Sequence, residues 1–177
     1  MRLPWRDVAP GPGPMISTSL TLAETDELRR LAAGAQVLEI GSAYGYSSIA
    51  MALAGGTVLA VDPHIQMASY DEMMVNLGFY NVARKVTVDR RDSRAALPSI
   101  ADRGDTFDLV WIDGDHASDM VEHDVNWARK LLRPTGTLAC HDYDEETCPG
   151  VRVALDKLFG GPGTLVDTLA IYGPGEW

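Results

Sequence analysis

Residues 37–54, VLEIGSAYGYSSIAMALA, carry the reading that decides the fold. Gln36 to Ile40 is a short, mostly apolar run of strand length, and it stops at Gly41. Tyr46 to Ala54 is apolar on every side and is closed by Gly55-Gly56, which predicts a buried helix. The stretch is therefore strand, glycine-containing loop, helix. Downstream, Thr57 to Val61 is a second strand stopped by Asp62-Pro63. Upstream, Thr21-Leu-Ala-Glu24 has capping-box spacing and opens a helix that runs to about Leu31.

The alternation continues to the end of the chain. Met67 to Leu77 predicts a helix ending at Gly78, and Val86 to Arg90 a third strand. A short helix follows Asp92-Ser93. Phe107 to Ile112 is a fourth strand, apolar on both faces. Val121, Val125, Ala128 and Leu132 then form the stripe of an amphipathic helix that Pro134 ends. Gly136 to His141 is a fifth strand, and Gly150 to Phe159 a helix broken by Gly160-Gly-Pro-Gly163. Thr164 to Val166 and Leu169 to Tyr172 read as two short final strands. Strands alternating with helices predict an open α/β fold with a parallel sheet. Ligands bind such sheets beyond the carboxyl ends of the strands, so the residues just after each strand are the ones to read.

The 177 residues suit one domain, here 19–177, preceded by an extended arm or partial lid at 1–18. Hydrophobic residues make up 46% and charged residues 23%, as in ordinary globular proteins. No apolar run reaches the roughly 20 residues of a membrane span, and MRLPWRDVAPGPGPM lacks the apolar core of a signal peptide. A formal charge of −10 disfavours nucleic acid as a partner. Cys140 lies in an apolar run that reads as a buried strand, so Cys140 and Cys148 predict no disulfide; a cytoplasmic, reducing location fits. There is no zinc-type cysteine or histidine spacing.

The loop after the first strand, Gly41-Ser42-Ala43-Tyr44-Gly45, has two glycines four apart with a bulky tyrosine between them. A dinucleotide fingerprint needs Gly-x-Gly-x-x-Gly, which disfavours a nicotinamide-dependent oxidoreductase. The stretch 37–54 resembles the first motif of class I S-adenosylmethionine-dependent methyltransferases. It is similar in particular to the catechol type and to a family of small bacterial and phage enzymes. The likeness continues through VDPH at 61–64, RDS at 91–93, WIDGDH at 111–116 and HDYD at 141–144, in the expected order. It implies a Rossmann-like, mostly parallel seven-stranded sheet with helices on both faces and an antiparallel final strand.

The resemblance also implies roles. Gly41, Ser42, Tyr44, Gly45 and Ser47 would surround the methionine part of S-adenosylmethionine, with Glu39 organising the loop from beneath. Asp62, followed by Pro63, would accept hydrogen bonds from the ribose hydroxyls, though it also fits a helix cap or an Asp-Pro turn. Asp92 and Ser93 would border the adenine; Ser93 equally suits a helix cap. Asp113, shared with the cofactor site, would join His141 and Asp142 in holding Mg²⁺ or another divalent cation. His141 stands where relatives have an oxygen ligand, and the two acids also suit loop capping. His116, three residues beyond Asp113, occupies the place of the catalytic base of the catechol enzymes, and Asp115 that of similar sugar enzymes. His116 also suits the start of the next helix.

The expected reaction is methylation of an oxygen on a small hydroxylated molecule, assisted by a divalent cation. A metal-independent enzyme using His116 as base is the alternative, and an inactive cofactor-binding module the non-enzymatic one. A nucleic-acid base methyltransferase would need a motif such as Asn-Pro-Pro-Tyr after the fourth strand, where Asp113-Gly-Asp-His stands. Pro14 to Thr18 is the expected cover of the substrate pocket; Trp5, Trp111 and Tyr143 suit either aromatic walls or core packing, and a second subunit in a homodimer could complete the pocket.

Overall fold

A computed structural model describes residues 6–66, 68–144 and 146–177. Two short strands come first, β1 (Arg6–Val8) and β2 (Ile16–Thr18), paired antiparallel within the segment read as an arm. The rest alternates: α1 (Leu22–Ala32), β3 (Gln36–Ile40), α2 (Tyr46–Leu53), β4 (Thr57–Val61), α3 (Ser69–Phe79), β5 (Val86–Asp89), α4 (Ser93–Asp102), β6 (Phe107–Ile112), α5 (Ser118–Leu131), β7 (Leu132–Cys140), α6 (Pro149–Phe159), β8 (Thr164–Val166) and β9 (Leu169–Tyr172).

The main sheet has seven strands in the order β5-β4-β3-β6-β7-β9-β8. Strands β3 to β7 are parallel, and β9 runs antiparallel to both neighbours. The chain enters at β3, winds outward to β5, then returns to the other side of β3 as β6. The order reverses between β3 and β6, which opens a crevice at their carboxyl ends.

Side-chain alternation sorts the core onto the two faces. Leu38 and Ile40 of β3 join Val110 and Ile112 of β6 under α4, α5 and α6. Val37 joins Leu109 and Trp111 on the other face, with Leu28 of α1, Ile49 of α2 and Leu77 of α3. Each such side chain, fully buried, adds roughly 1.5–3 kcal/mol of transfer free energy. Among the described residues, no helix is long and apolar enough to cross a membrane.

Two boundaries differ from the sequence reading. The expected start of α3 at Met67 lies outside the described residues. The helix passes through Gly78, around which an added Cβ would meet open space, and the left-handed residue that stops it is Asn81, at φ 55°. Pro134 does not separate helix from strand. Helix α5 runs straight into β7, and Pro134 falls where the pairing with β6 is irregular, so its missing N–H costs no ladder bond.

Candidate active site

A cavity of about 510 Å³ opens at the carboxyl ends of β3, β4 and β6. Its floor is the loop after β3. Gly41 has φ 89°, and a Cβ there would lie 2.2 Å from the carbonyl oxygen of Asp113. This glycine is thus demanded by the neighbouring strand end as well as by the turn. Gly45, at φ 87°, caps α2 in the left-handed region.

Beneath the loop, Glu39 is fully buried and receives hydrogen bonds from the hydroxyls of Ser47 and Ser48 at the start of α2. Burial pushes its carboxyl up to about 8 against the pull of those two bonds. Ser47 lines the cavity, but its Oγ is turned to Glu39. Asp62, at the end of β4, organises the loop from the side. Its Oδ2 accepts the backbone N–H of Ser42 and of Ala43, both at 2.8 Å, and its Oδ1 that of His64 at 2.6 Å. Pro63 and Ile65 line the wall beside it, and Ser93 faces them across the cavity with Asp92. Asp92 also caps α4 through the N–H of Ala95, 2.9 Å away.

The other end of the cavity is where β6 and β7 finish. Parallel pairing of Ile112 with Cys140 brings Asp113 beside His141 and Asp142. Nδ1 of His141 lies 3.3 Å from Asp113 Oδ1 and 3.3 Å from Asp142 Oδ1. Nε2 of His116 lies 3.0 Å from Asp142 Oδ2 and 3.9 Å from Asp113 Oδ1. Both ring nitrogens are buried, and neither makes an aligned hydrogen bond among the described residues. Asp142 holds its place from a left-handed φ of 60°, a conformation an aspartate tolerates at some cost.

Charge is concentrated here. Contacts with Asp113 and Asp142 push His116 up to about 10, against burial. Burial lowers the pKa of His141, but Asp113, Asp142 and Glu24 outweigh it and raise it well above the usual histidine value. Asp142 is pushed up by burial, yet His116 and His141 hold it well below the carboxylate range. Among the described residues, six aspartates line the cavity (Asp62, Asp92, Asp113, Asp115, Asp124 and Asp142), and His116 is the one lining residue with a basic side chain.

The expected site residues line this space except Gly45, which caps α2, Glu39, which lies beneath the loop, and His141, which is buried. Asp115 is exposed and caps the turn before α5 through the N–H of Ala117, 2.9 Å away. Of the expected cover, Ser17 and Thr18 line the cavity, joined by Ser19 and Leu20, whereas Pro14, Met15 and Ile16 do not. The aromatic walls differ. Trp111 is buried against His141, with ring centroids 5.7 Å apart, and Tyr143 is buried with its hydroxyl donating to Asp156 at 2.6 Å. Among the described residues, Tyr44 and Tyr46 are the tyrosines that line the cavity, and Trp5 lies outside the described residues. Asp124, buried in α5, also lines the cavity; the sequence carries no signal for it, because it lies inside an amphipathic helix with no motif around it.

Comparison with known proteins points the same way. A family model described as a methyltransferase domain matches residues 38–143. Cofactor-bound Rv0187 from MTB superposes with a TM-score of 0.73 at 26% identity, covering 89% of this chain and 82% of that one. The O-methyltransferase TomG from Streptomyces achromogenes, involved in Tomaymycin synthesis and solved in complex with SAM, gives 0.66 at 26% identity, over 80% and 70%. An O-methyltransferase from Bacillus cereus in complex with SAH shares the fold, with 0.68 at 23% identity over 81% and 71%. No curated protein sequence matches.

Proposed function

We propose that this chain, which belongs to the methyltransferase-domain family of class I S-adenosylmethionine-dependent enzymes, methylates a hydroxyl oxygen of a small molecule with the help of a divalent cation. The observation that carries the reading is one cavity with two chemically different ends. One end is a glycine loop pinned by Asp62 and Glu39. The other is a cluster of Asp113, His116, His141 and Asp142 at the mouth of β6 and β7.

S-adenosylmethionine supplies a methyl group on a sulfonium, a good electrophile that needs little further activation. The chain's task is to hold it in line with an oxygen and to manage that oxygen's proton. The six aspartates favour a cationic ligand and repel the pyrophosphate of a nicotinamide dinucleotide. Asp62 retains acceptor capacity for ribose hydroxyls, since its Oδ1 takes only one backbone N–H. Pro63, Ile65 and Ser93 frame the place for the adenine.

The cation would be held by Asp113, His141 and Asp142, whose donor atoms lie within 4.8 Å of one another. The buried Nδ1 of His141, with no aligned partner among the described residues, fits this role. A bound cation there would lower the pKa of a coordinated hydroxyl. A nitrogen donor beside two carboxylates suits manganese or zinc at least as well as the magnesium that the family resemblance implies. His116 is the base. Its Nε2 faces Asp142, which leaves Nδ1 for the substrate hydroxyl. With a cation held by Asp113 and Asp142, those carboxylates would no longer hold the imidazole charged, and His116 would be able to accept the hydroxyl proton.

The 3.0 Å contact of His116 with Asp142 also supports a second reading, in which this pair works without a metal. A methyl-transfer screen over catechols, sugars and other small hydroxylated compounds, run with added cation and with chelator, tests both. Transfer to oxygen that a chelator suppresses supports the first reading. Transfer indifferent to chelator supports the second, and transfer to nitrogen or carbon alone would reject both. The two cysteines, free and buried, fit a reducing cytoplasmic setting.

A further inference from the structure

Glu24 is the glutamate of the capping box that opens α1. Its backbone N–H donates to Thr21 Oγ1 at 3.0 Å, and its Oε2 accepts the N–H of Thr21 at 2.8 Å. A capping-box glutamate needs no more than that and ordinarily sits at the surface. Here it is 1% exposed. Its Oε1 receives both the N–H and the hydroxyl of Thr168, at 2.9 and 2.7 Å, and its Oε2 faces Nε2 of His141 at 3.3 Å. Each carboxylate oxygen therefore faces two donor groups, which is what burial of this charge requires. The contact spans 117 positions of sequence and ties the first helix to the end of β7.

The geometry assigns Glu24 as the positioning residue that takes the Nε2–H of His141 and so turns Nδ1 of that ring toward Asp113 and Asp142. The inference rests on the reading of those three residues as a cation site. An imidazole offers only one nitrogen lone pair when neutral, and the hydrogen bond made by one nitrogen decides which atom remains to bind. The Trp111 ring, its centroid 5.7 Å away, packs on the imidazole and limits its other orientations. Glu24 is acceptor-only, so it admits His141 only as an Nε2–H donor. A glutamine there has one accepting and one donating end, so its N–H₂ must meet either the Thr168 pair or the Thr21–His141 pair, and the charge that favours an Nε2–H donor is gone.

Titration of the purified full chain with Co²⁺ alone, followed by d–d absorption, tests the assignment. Glu24→Gln is expected to weaken Co²⁺ binding by about 10- to 100-fold, the usual effect of losing an outer partner of a ligating histidine. Glu24→Asp, which keeps the charge but withdraws the oxygen by one methylene, should do the same and serves if the glutamine variant fails to fold. Thr21→Ala is the structural control. It removes the side-chain cap of α1 and should lower thermal stability while leaving Co²⁺ affinity unchanged. Wild-type affinity in folded Glu24 variants, or an equal loss in Thr21→Ala, overturns the assignment. If the wild type itself binds no cation, the metal reading fails separately, and ¹⁵N-histidine NMR of the metal-free chain decides. A slowly exchanging Nε2–H of His141 that is present in wild type and Thr21→Ala but lost in both Glu24 variants supports the positioning role. Its persistence in the Glu24 variants overturns it.

Discussion

Nε2 of His116 lies 3.0 Å from Oδ2 of Asp142, and Asp142 reaches it from a backbone φ of 60°. If His116 is the base, His116→Ala should reduce turnover by about 10²- to 10⁴-fold while S-adenosylhomocysteine affinity stays near wild type. Asp115→Asn should cost far less, because Asp115 is an exposed turn cap. A large loss in Asp115→Asn beside a near-normal His116→Ala would exchange the two roles.

The same pair predicts a pH profile. A base works only when deprotonated, and Asp113 and Asp142 push His116 up to about 10. Turnover without added cation should therefore climb with pH toward about 10. Saturating divalent cation should move the rise to lower pH, since the carboxylates then no longer hold the imidazolium. Initial rates over a pH series, with and without Mn²⁺, check this. An unmoved profile would count against a shared site.

Asp113→Asn and Asp142→Asn should each weaken cation binding, and the double variant should lose less than the sum of the two, because both act on one ion. A chelator should lower turnover and leave cofactor affinity nearly intact. Isothermal titration with Mn²⁺ and with S-adenosylhomocysteine separates the two ends of the cavity.

Asp62→Ala should lower S-adenosylhomocysteine affinity by about 10- to 150-fold, corresponding to about 1.5–3 kcal/mol for hydrogen bonds to a charged group. The structure adds a second route to that loss. The carboxylate also holds the N–H groups of Ser42 and Ala43, so its removal loosens the glycine loop. Gly41→Ala should unfold at a lower temperature than wild type by several degrees. A positive φ costs about 1–3 kcal/mol for a residue with a side chain, and the added Cβ would press on the Asp113 carbonyl.

Glu39 gives a stability test. Its folded pKa, about 8, lies above the ordinary 4.5, so the folded chain binds the extra proton between those values. This contribution to stability is complete below about pH 4.5 and is lost as pH rises toward 8. Glu39→Gln should remove that slope, a difference on the order of a few kcal/mol across the window. Urea unfolding of both proteins at pH 5 and pH 8 measures it. Parallel slopes would show that Glu39 does not titrate there.

Much of this molecule was legible along the chain. Strand and helix periods, the turn glycines and Asp62-Pro63 are local signals, and a parallel α/β sheet places its ligand at strand ends whatever the details. Hence the positions of Gly41, Asp62, Asp92 and Asp113 at strand ends are legible in the sequence, and the family resemblance implies their roles. Other features belong to pairs of residues far apart in sequence. Trp111 reads equally as a pocket aromatic or as packing, and strand alternation decides for the core, against His141. Gly41 reads as a ligand-facing glycine, but it is the carbonyl of Asp113, on the neighbouring strand, that excludes a side chain. Glu24 reads as a helix cap and nothing more. Its burial against Thr168 and His141 exists only once α1 packs over the ends of β7 and β9. Local patterns determine which elements form, because backbone preference and hydrophobic period act over a few residues. Which side chains share a buried charge is decided by tertiary packing, because removal from water makes each such group depend on partners that only the complete fold brings within reach.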